Sequence, residues 1–167
     1  TGVPIASALD FPTVGVMSSL GKAREAEELV RLGAQQLDIG VQIGWLKSGD
    51  HARFRDDIRG VVEAGVPVKV MLELPLLTPD EREAAVELSL EAGAAFLKNA
   101  SSGAVEIANP ESIRYLVERA PEGVGVKASG GITSAVQARE LLAAGAQLLG
   151  TSAGIAIVTS GSGDRSY

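Results

Sequence analysis

Two lysines in the middle of the chain combine a type and a position that favour chemistry. Lys98 ends the apolar run Ala-Ala-Phe-Leu-Lys and Lys127 ends Val-Gly-Val-Lys, and small polar residues follow each of them. Burial disfavours the ammonium form of lysine. Two ammonium groups close together also destabilise each other's charge, so one of them becomes a nucleophilic amine. The spacing alone equally allows two separate lysines, each paired with a carboxylate or solvated.

An acidic residue, Asp38, lies inside the apolar run Gln-Leu-Asp-Ile-Gly. A buried strand gains no stability from an acid, so Asp38 is a candidate for moving protons through a water molecule or for holding a lysine in place. A structural ion pair with one of the lysines explains it equally well.

Two glycine-containing loops near the end of the chain are typical of an anion site. One contains Ser129, Gly130 and Gly131 before a Thr-Ser helix start, and the other contains Gly150 and Ser152. Exposed backbone N–H groups at such positions bind phosphate. Ordinary turn glycines with helix capping are the alternative.

The chain repeats a helix-to-strand pattern. Glycines follow helix-like segments at steps of 22 to 32 residues, which is the length of a βα unit, at positions 33, 65, 93, 123 and 145. Helices are predicted over 22–32 and about 134–144, and further helices begin at Thr78 and Asn109, each followed by proline. Short strands rich in Val, Ile and Leu are predicted over 3–9, 36–43, 66–74, 95–99, 123–128 and 147–151.

Alternating strands and helices indicate an α/β fold with a parallel sheet. Asp38, Lys98 and Gly150 lie five residues after the glycine of their unit, and Lys69 and Lys127 lie four after theirs. Polar residues at matching depth favour a (β/α)8 TIM barrel with its active site at the carboxyl ends of the strands, although only about six βα units are visible. We expect residues 1–158 to form this single domain and residues 159–167 to form a flexible C-terminal tail.

Composition excludes several classes of function. A net charge of −6 argues against a nucleic-acid surface, and no apolar run approaches the roughly 20 residues of a membrane span. One histidine, no cysteine and no carboxylate cluster give no support for a metal site, and the lack of cysteine is compatible with the cytoplasmic location that we expect. His51 is predicted at the surface, Trp45 in packing, and Glu73 either inside the barrel or as a structural partner of a lysine.

Five segments of the chain form a recognisable set: Phe11-Pro12, Leu-Lys-Ser-Gly-Asp after the strand of Asp38, Ala-Gly-Ala-Ala-Phe-Leu-Lys at Lys98, Val-Gly-Val-Lys-Ala-Ser-Gly-Gly-Ile at Lys127, and Gly-Thr-Ser-Ala-Gly-Ile-Ala-Ile-Val. Together they resemble the deoxyribose-phosphate aldolases, and the resemblance covers nearly the whole chain. It implies a class I aldolase barrel that cleaves 2-deoxyribose 5-phosphate to glyceraldehyde 3-phosphate and acetaldehyde and that needs no cofactor.

By this resemblance Lys98 is the Schiff-base lysine, Lys127 tunes it, and Asp38 relays protons through water. A C-terminal tyrosine that assists proton transfer in some members corresponds to Tyr167. The substrate, a small phosphorylated aldehyde, is expected to place its phosphate at the two loops that contain Ser129, Gly130, Gly131, Gly150 and Ser152.

Three departures from the family pattern qualify these expectations. The match begins at the family's third strand, so two βα units must come from another segment or chain, or the fold has been remodelled, and we expect a homo-oligomer or a partner segment. Asn-Ala-Ser-Ser-Gly follows Lys98 where the family has Thr-Ser-Thr-Gly, and Thr133 stands where the family often has arginine. Two alternatives therefore remain: an imine-forming aldolase for a different small aldehyde, and a non-catalytic aldolase-like subunit completed by a partner chain.

Overall fold

A computed structural model of the chain describes residues 2–12 and 15–160. Six strands alternate with helices along this part of the chain. The strands are β1 (Ala6–Leu9), β2 (Gln36–Gly40), β3 (Val68–Met71), β4 (Phe96–Lys98), β5 (Gly125–Ser129) and β6 (Leu148–Gly150). The helices are α1 (Ser19–Arg31), α2 (Ile43–Lys47), α3 (His51–Val62), α4 (Pro79–Glu91), α5 (Pro110–Val117), α6 (Ala135–Ala143) and α7 (Gly154–Ser160), with a 3₁₀ turn at Leu74–Leu76.

The six strands form one parallel sheet in the order of the sequence, from β1 to β6. The sheet is strongly curled: Asp38 on β2 contacts Lys127 on β5 at 2.6 Å, although three strand spacings of a flat sheet amount to roughly 14 Å. The predicted α/β class and the partial barrel of about six βα units are confirmed.

Side chains alternate between the two faces of the sheet, as the period of two requires. One face packs against the helices and is fully buried, and it contains Leu37, Ile39, Val68, Val70, Leu97 and Val126. The other face points into the curl and contains Asp38, Lys69, Met71, Lys98 and Lys127. The polar residues of the predicted site therefore face the centre of the partial barrel.

The helix boundaries follow the predicted signals. Thr78 caps α4 in a reciprocal capping box with Glu81, and Asn109 caps α5 by accepting a hydrogen bond from the Ser112 N–H. Gly145 follows α6 with a φ of 107°, a left-handed conformation that glycine adopts without a steric penalty. Trp45 packs against the core and His51 is exposed, as predicted.

Both edges of the sheet carry exposed apolar side chains. Val3 and Ile5 precede β1 and are 71% and 62% exposed, and Ile155 and Val158 on α7 after β6 are 83% and 82% exposed. The predicted domain boundary at residue 158 falls within α7, and residues 161–167 of the predicted tail lie outside the described part of the chain. Within that part, none of the helices has the length and apolar character needed to cross a bilayer.

A fully buried lysine joins two helices to the carboxyl ends of β1 and β2. Lys22 on α1 lies 3.1 Å from Asp10 Oδ2 and 2.7 Å from Asp57 Oδ2, and it donates to the Gly40 carbonyl at 2.8 Å. Both carboxylates are also occupied by other donors, among them the Ser19 hydroxyl on Asp57. The amphipathic pattern of α1 does not predict this cluster. Such a pattern places charged residues on the exposed side of a helix, whereas Lys22 lies on the buried side.

We expect Lys22→Met to lower the free energy of unfolding by about 3–5 kcal/mol, because it leaves two buried carboxylates without their cation. Urea denaturation at neutral pH measures the loss. The matched control is Lys47→Met, which removes a 42% exposed lysine from its ion pair with Glu81 and should change stability by about 1 kcal/mol at most. Equal losses in the two variants would contradict the structural role of Lys22.

Candidate active site

Asp38 is the centre of the site, because three lysines contact its carboxylate. Lys69 Nζ lies 3.0 Å from Oδ1, while Lys98 Nζ and Lys127 Nζ lie 3.2 Å and 2.6 Å from Oδ2. Lys98 and Lys127 thus share one oxygen atom. The structure brings together Asp38, Lys98 and Lys127, three of the four residues that the sequence analysis proposes for catalysis.

The register of the parallel strands places these four side chains. Asp38 on β2 is the register partner of Lys69 on β3, and Lys98 on β4 is the partner of Lys127 on β5. Met71 on β3 pairs with Lys98 and separates the two polar pairs along the sheet. Because the four strands are adjacent and the sheet curls, the side chains converge on one point.

Lys69 is the member of this cluster that the sequence analysis did not assign to the site. It is 1% exposed and its ammonium group holds the oxygen of Asp38 that the other two lysines leave free. The sequence feature that points to Lys69 is its position four residues after Gly65, which matches the position of Lys127 relative to Gly123. Depth alone does not identify the partner of a side chain, so its contact with Asp38 required the structure.

Charge and burial set the protonation of the cluster. Burial by itself raises the pKa of Asp38, but the charges of Lys127, Lys98 and Lys69 together hold that pKa below its usual value. Burial is also the main cause that lowers the pKa of Lys98; Asp38 opposes it and the charge of Lys127 adds to it. The arrangement therefore favours an ionised Asp38 beside a lysine that loses its proton readily.

A cavity of about 350 Å³ opens onto this cluster. Asp38, Lys98 and Lys127 line its floor together with Met71, and β1 and Phe11 form one wall. The cavity is therefore large enough for a small aldehyde, and it gives access to Lys98 although that residue is only 3% exposed.

The predicted phosphate loops lie beside each other after β5 and β6, and none of their five residues is among the described residues that line this cavity. Ser129 pairs with Gly150 in the register of the two strands, and Thr151 donates from its hydroxyl to the Ile132 carbonyl at 2.6 Å. Ser152 is exposed. The Ser129 hydroxyl is buried and has no partner among the described residues.

Gly130 has a structural role of its own. Its φ is 110°, and a Cβ atom at this position would lie 2.2 Å from the Glu106 carbonyl oxygen. The Ala108 N–H also donates to the Gly130 carbonyl. Gly130 is thus required for the β4–α5 loop (residues 99–109) to pack against the loop after β5.

The residues that replace the family's usual sequence after Lys98 form a polar network. Asn99 bridges β4 and β5, because its side chain accepts from the Ser129 N–H at 2.9 Å and donates to the Ser129 carbonyl at 3.0 Å. Glu106 accepts from Asn99, Asn109 and Ser112. The β4–α5 loop is therefore ordered by these side chains, which sequence reasoning did not assign to the site.

Two further predictions concern Tyr167 and metal binding. Tyr167, the predicted assistant in proton transfer, lies outside the described residues. In residues 2–12 and 15–160 no three histidine, cysteine or acidic side chains lie together as metal ligands.

We expect Lys98→Met to flatten the pH dependence of stability on the alkaline side. In the wild type the pKa of Lys98 in the folded chain lies below its ordinary 10.5, so between these values the unfolded chain binds one proton more. The free energy of unfolding therefore rises with pH there, by up to about 1.4 kcal/mol per pH unit. Urea titrations of both proteins between neutral and alkaline pH measure the difference, and parallel curves would contradict it.

Comparison with known proteins places the chain among aldolases. No family model matches it. A deoxyribose-phosphate aldolase from Exiguobacterium sibiricum is 41% identical over 167 residues, which cover 99% of this chain and 75% of that protein.

Two solved structures share the fold and the sequence pattern. The aldolase QR15 superposes with a TM-score of 0.88 at 34% identity, covering 96% of this chain and 73% of that one. A tetrameric deoxyribose phosphate aldolase from Aeropyrum pernix superposes with a TM-score of 0.84 at 32% identity, covering 95% and 68%. The chain therefore belongs to the deoxyribose-phosphate aldolase family.

Proposed function

We propose that the chain cleaves 2-deoxyribose 5-phosphate to glyceraldehyde 3-phosphate and acetaldehyde through an imine on Lys98. The observation that carries the proposal is the position of Lys98: a buried lysine with a lowered pKa, next to Lys127 and Asp38, at the floor of a cavity. The name shared by the curated relatives supports this substrate over other small aldehydes.

The reaction begins when the neutral amine of Lys98 attacks the aldehyde carbon of the open-chain sugar. Loss of water from the carbinolamine gives an iminium ion, which accepts the electron pair when the C2–C3 bond breaks. Removal of the proton from the C3 hydroxyl releases glyceraldehyde 3-phosphate and leaves an enamine on Lys98. Protonation of the enamine at C2 and hydrolysis of the resulting iminium release acetaldehyde and restore the lysine.

Asp38 and Lys127 would carry the protons for these steps. Lys98 and Lys127 contact the same carboxylate oxygen of Asp38. A proton would therefore pass between Lys127, Asp38 and a water in the cavity over hydrogen-bond distances. Lys127 also disfavours the ammonium form of Lys98. Lys69 holds the other oxygen and fixes the orientation of the carboxylate.

The substrate phosphate would bind at the paired loops after β5 and β6. This part of the proposal is supported by the glycine backbone at Gly130, Gly131 and Gly150, and by the Ser129 hydroxyl, which is buried without a partner in the described chain. Ser152 adds an exposed side chain to the second loop. With Thr133 in place of arginine, backbone N–H groups and hydroxyls supply the main contacts.

Incubation with acetaldehyde and borohydride tests the imine. We expect mass spectrometry to find a reduced ethyl adduct on Lys98 alone, because reduction converts the imine to a stable secondary amine. Lys98→Ala should lose the adduct and roughly 10⁴-fold or more of kcat. Asp38→Asn, which keeps the size of the side chain, should still form the adduct and lose about 10²- to 10⁴-fold of kcat, because proton transfer is impaired.

An adduct that persists in Lys98→Ala, or no adduct in the wild type, would refute the assignment. Lys47→Ala is the matched control, since Lys47 is a half-exposed lysine on α2 that lies away from the cavity and should leave both the adduct and kcat unchanged.

We also propose that the curled sheet works as part of a larger assembly. Exposed apolar residues flank both edges of the sheet, and a barrel of this class has eight strands, so two further strands would close it. A second copy of the chain or another segment of the protein would supply them. Light scattering gives the mass of the active species, and a monomer of this chain with full retro-aldol activity would contradict the proposal.

A further inference from the structure

Glu73 is an acidic residue in an unusual backbone conformation beside the loop that follows Lys98. It follows β3 with φ 53° and ψ 49°, one of two described non-glycine residues with positive φ. The left-handed conformation costs a non-glycine residue about 1 kcal/mol or more and persists only where the surroundings enforce it. The residue is fully buried, so its carboxylate is withdrawn from water.

The contacts on either side of Glu73 fasten the chain at and after Lys98. The Leu72 N–H donates to the Lys98 carbonyl at 3.0 Å and the Leu74 N–H donates to the Asn99 carbonyl at 3.1 Å. Between them, Glu73 Oε1 accepts from the Ser101 N–H at 2.8 Å. Residues 72–74 thus form hydrogen bonds with three residues of β4 and the following loop, at positions 98, 99 and 101.

The carboxylate also acts on the charge of the site. Burial is the largest cause that raises the pKa of Glu73; the hydrogen bond from the Ser101 N–H and the charge of Lys98 oppose it, and Glu106 in the β4–α5 loop raises it further. In turn, the charges of Asp38 and Glu73 favour the ammonium form of Lys98, whereas the charge of Lys127 disfavours it. The second oxygen of Glu73 and the Ser101 hydroxyl are buried without partners in the described chain.

We propose that Glu73 is a positioning residue for the imine-forming lysine, which ties the loop after Lys98 to the end of β3 and adds a negative charge to the surroundings of the Lys98 ammonium group. The inference rests on the proposed aldolase function. The two roles separate chemically, because the tie needs only an acceptor oxygen of the right reach, whereas the charge needs an ionised carboxylate.

Two substitutions test the roles separately by the pH profile of retro-aldol turnover. Glu73→Gln keeps the acceptor for Ser101 and removes the charge, so the neutral form of Lys98 becomes more favourable. kcat/KM increases with the fraction of Lys98 that is neutral. In Glu73→Gln the acid limb of the kcat/KM profile should therefore move to lower pH, while the plateau of kcat stays near the wild-type value. Glu73→Asp keeps the charge but is one methylene too short to reach Ser101, so kcat should fall by roughly 10- to 100-fold with the acid limb unmoved.

Glu87→Gln, which removes an exposed carboxylate from α4, is the matched control and should change neither quantity. An unmoved acid limb in Glu73→Gln overturns the charge role, and a wild-type kcat in Glu73→Asp overturns the tie. If thermal melting shows that Glu73→Gln is unfolded, Glu73→Asp decides the tie, and a wild-type kcat in that variant overturns the proposal. Borohydride trapping of the wild type separates this question from the function itself: a missing Lys98 adduct refutes the aldolase, whereas an adduct with unaltered Glu73 variants refutes only the role of Glu73.

Discussion

The site depends on one carboxylate that three ammonium groups share. With all three lysines protonated, the Asp38 cluster would carry an excess of positive charge in a buried place, which is costly. The excess is relieved when one lysine gives up its proton. Lys98 is the lysine whose pKa burial and Lys127 lower, so the electrostatics of the cluster favour a neutral amine at the residue for which we propose the imine.

The Lys22 cluster combines the same chemical groups for a different result. There one ammonium group faces two carboxylates, and both the lysine and its partners are closed to solvent. Its contacts join α1 and α3 to the carboxyl ends of β1 and β2. The Asp38 cluster reverses the ratio and adjoins a cavity. The contrast indicates that the ratio of acids to bases and access to water separate a structural ion cluster from a reactive one.

The sequence predicted the features that depend on local order along the chain. The repeat of glycines identified the βα units, and residue type with depth along each strand identified Lys98, Lys127 and Asp38. Other contacts between elements depend on the three-dimensional packing and were not predicted. The pairing of Lys69 with Asp38 follows from the register and curl of the sheet. The burial of Lys22 follows from the packing of α1 on α3. The proposed role of Glu73 depends on a backbone conformation that the sequence Met-Leu-Glu-Leu-Pro does not predict.

The register of the strands also bears on how the chain finds its native fold. A slip of one residue in β2, β3, β4 or β5 would turn its charged side chain from the interior to the helix-covered face and leave a buried charge without its counter-ion. Apolar side chains alone discriminate weakly between such alternatives, because valine, isoleucine and leucine replace one another on either face of a buried parallel sheet. The reactive cluster thus penalises misaligned strand pairing, and selection for catalysis also selects for folding specificity.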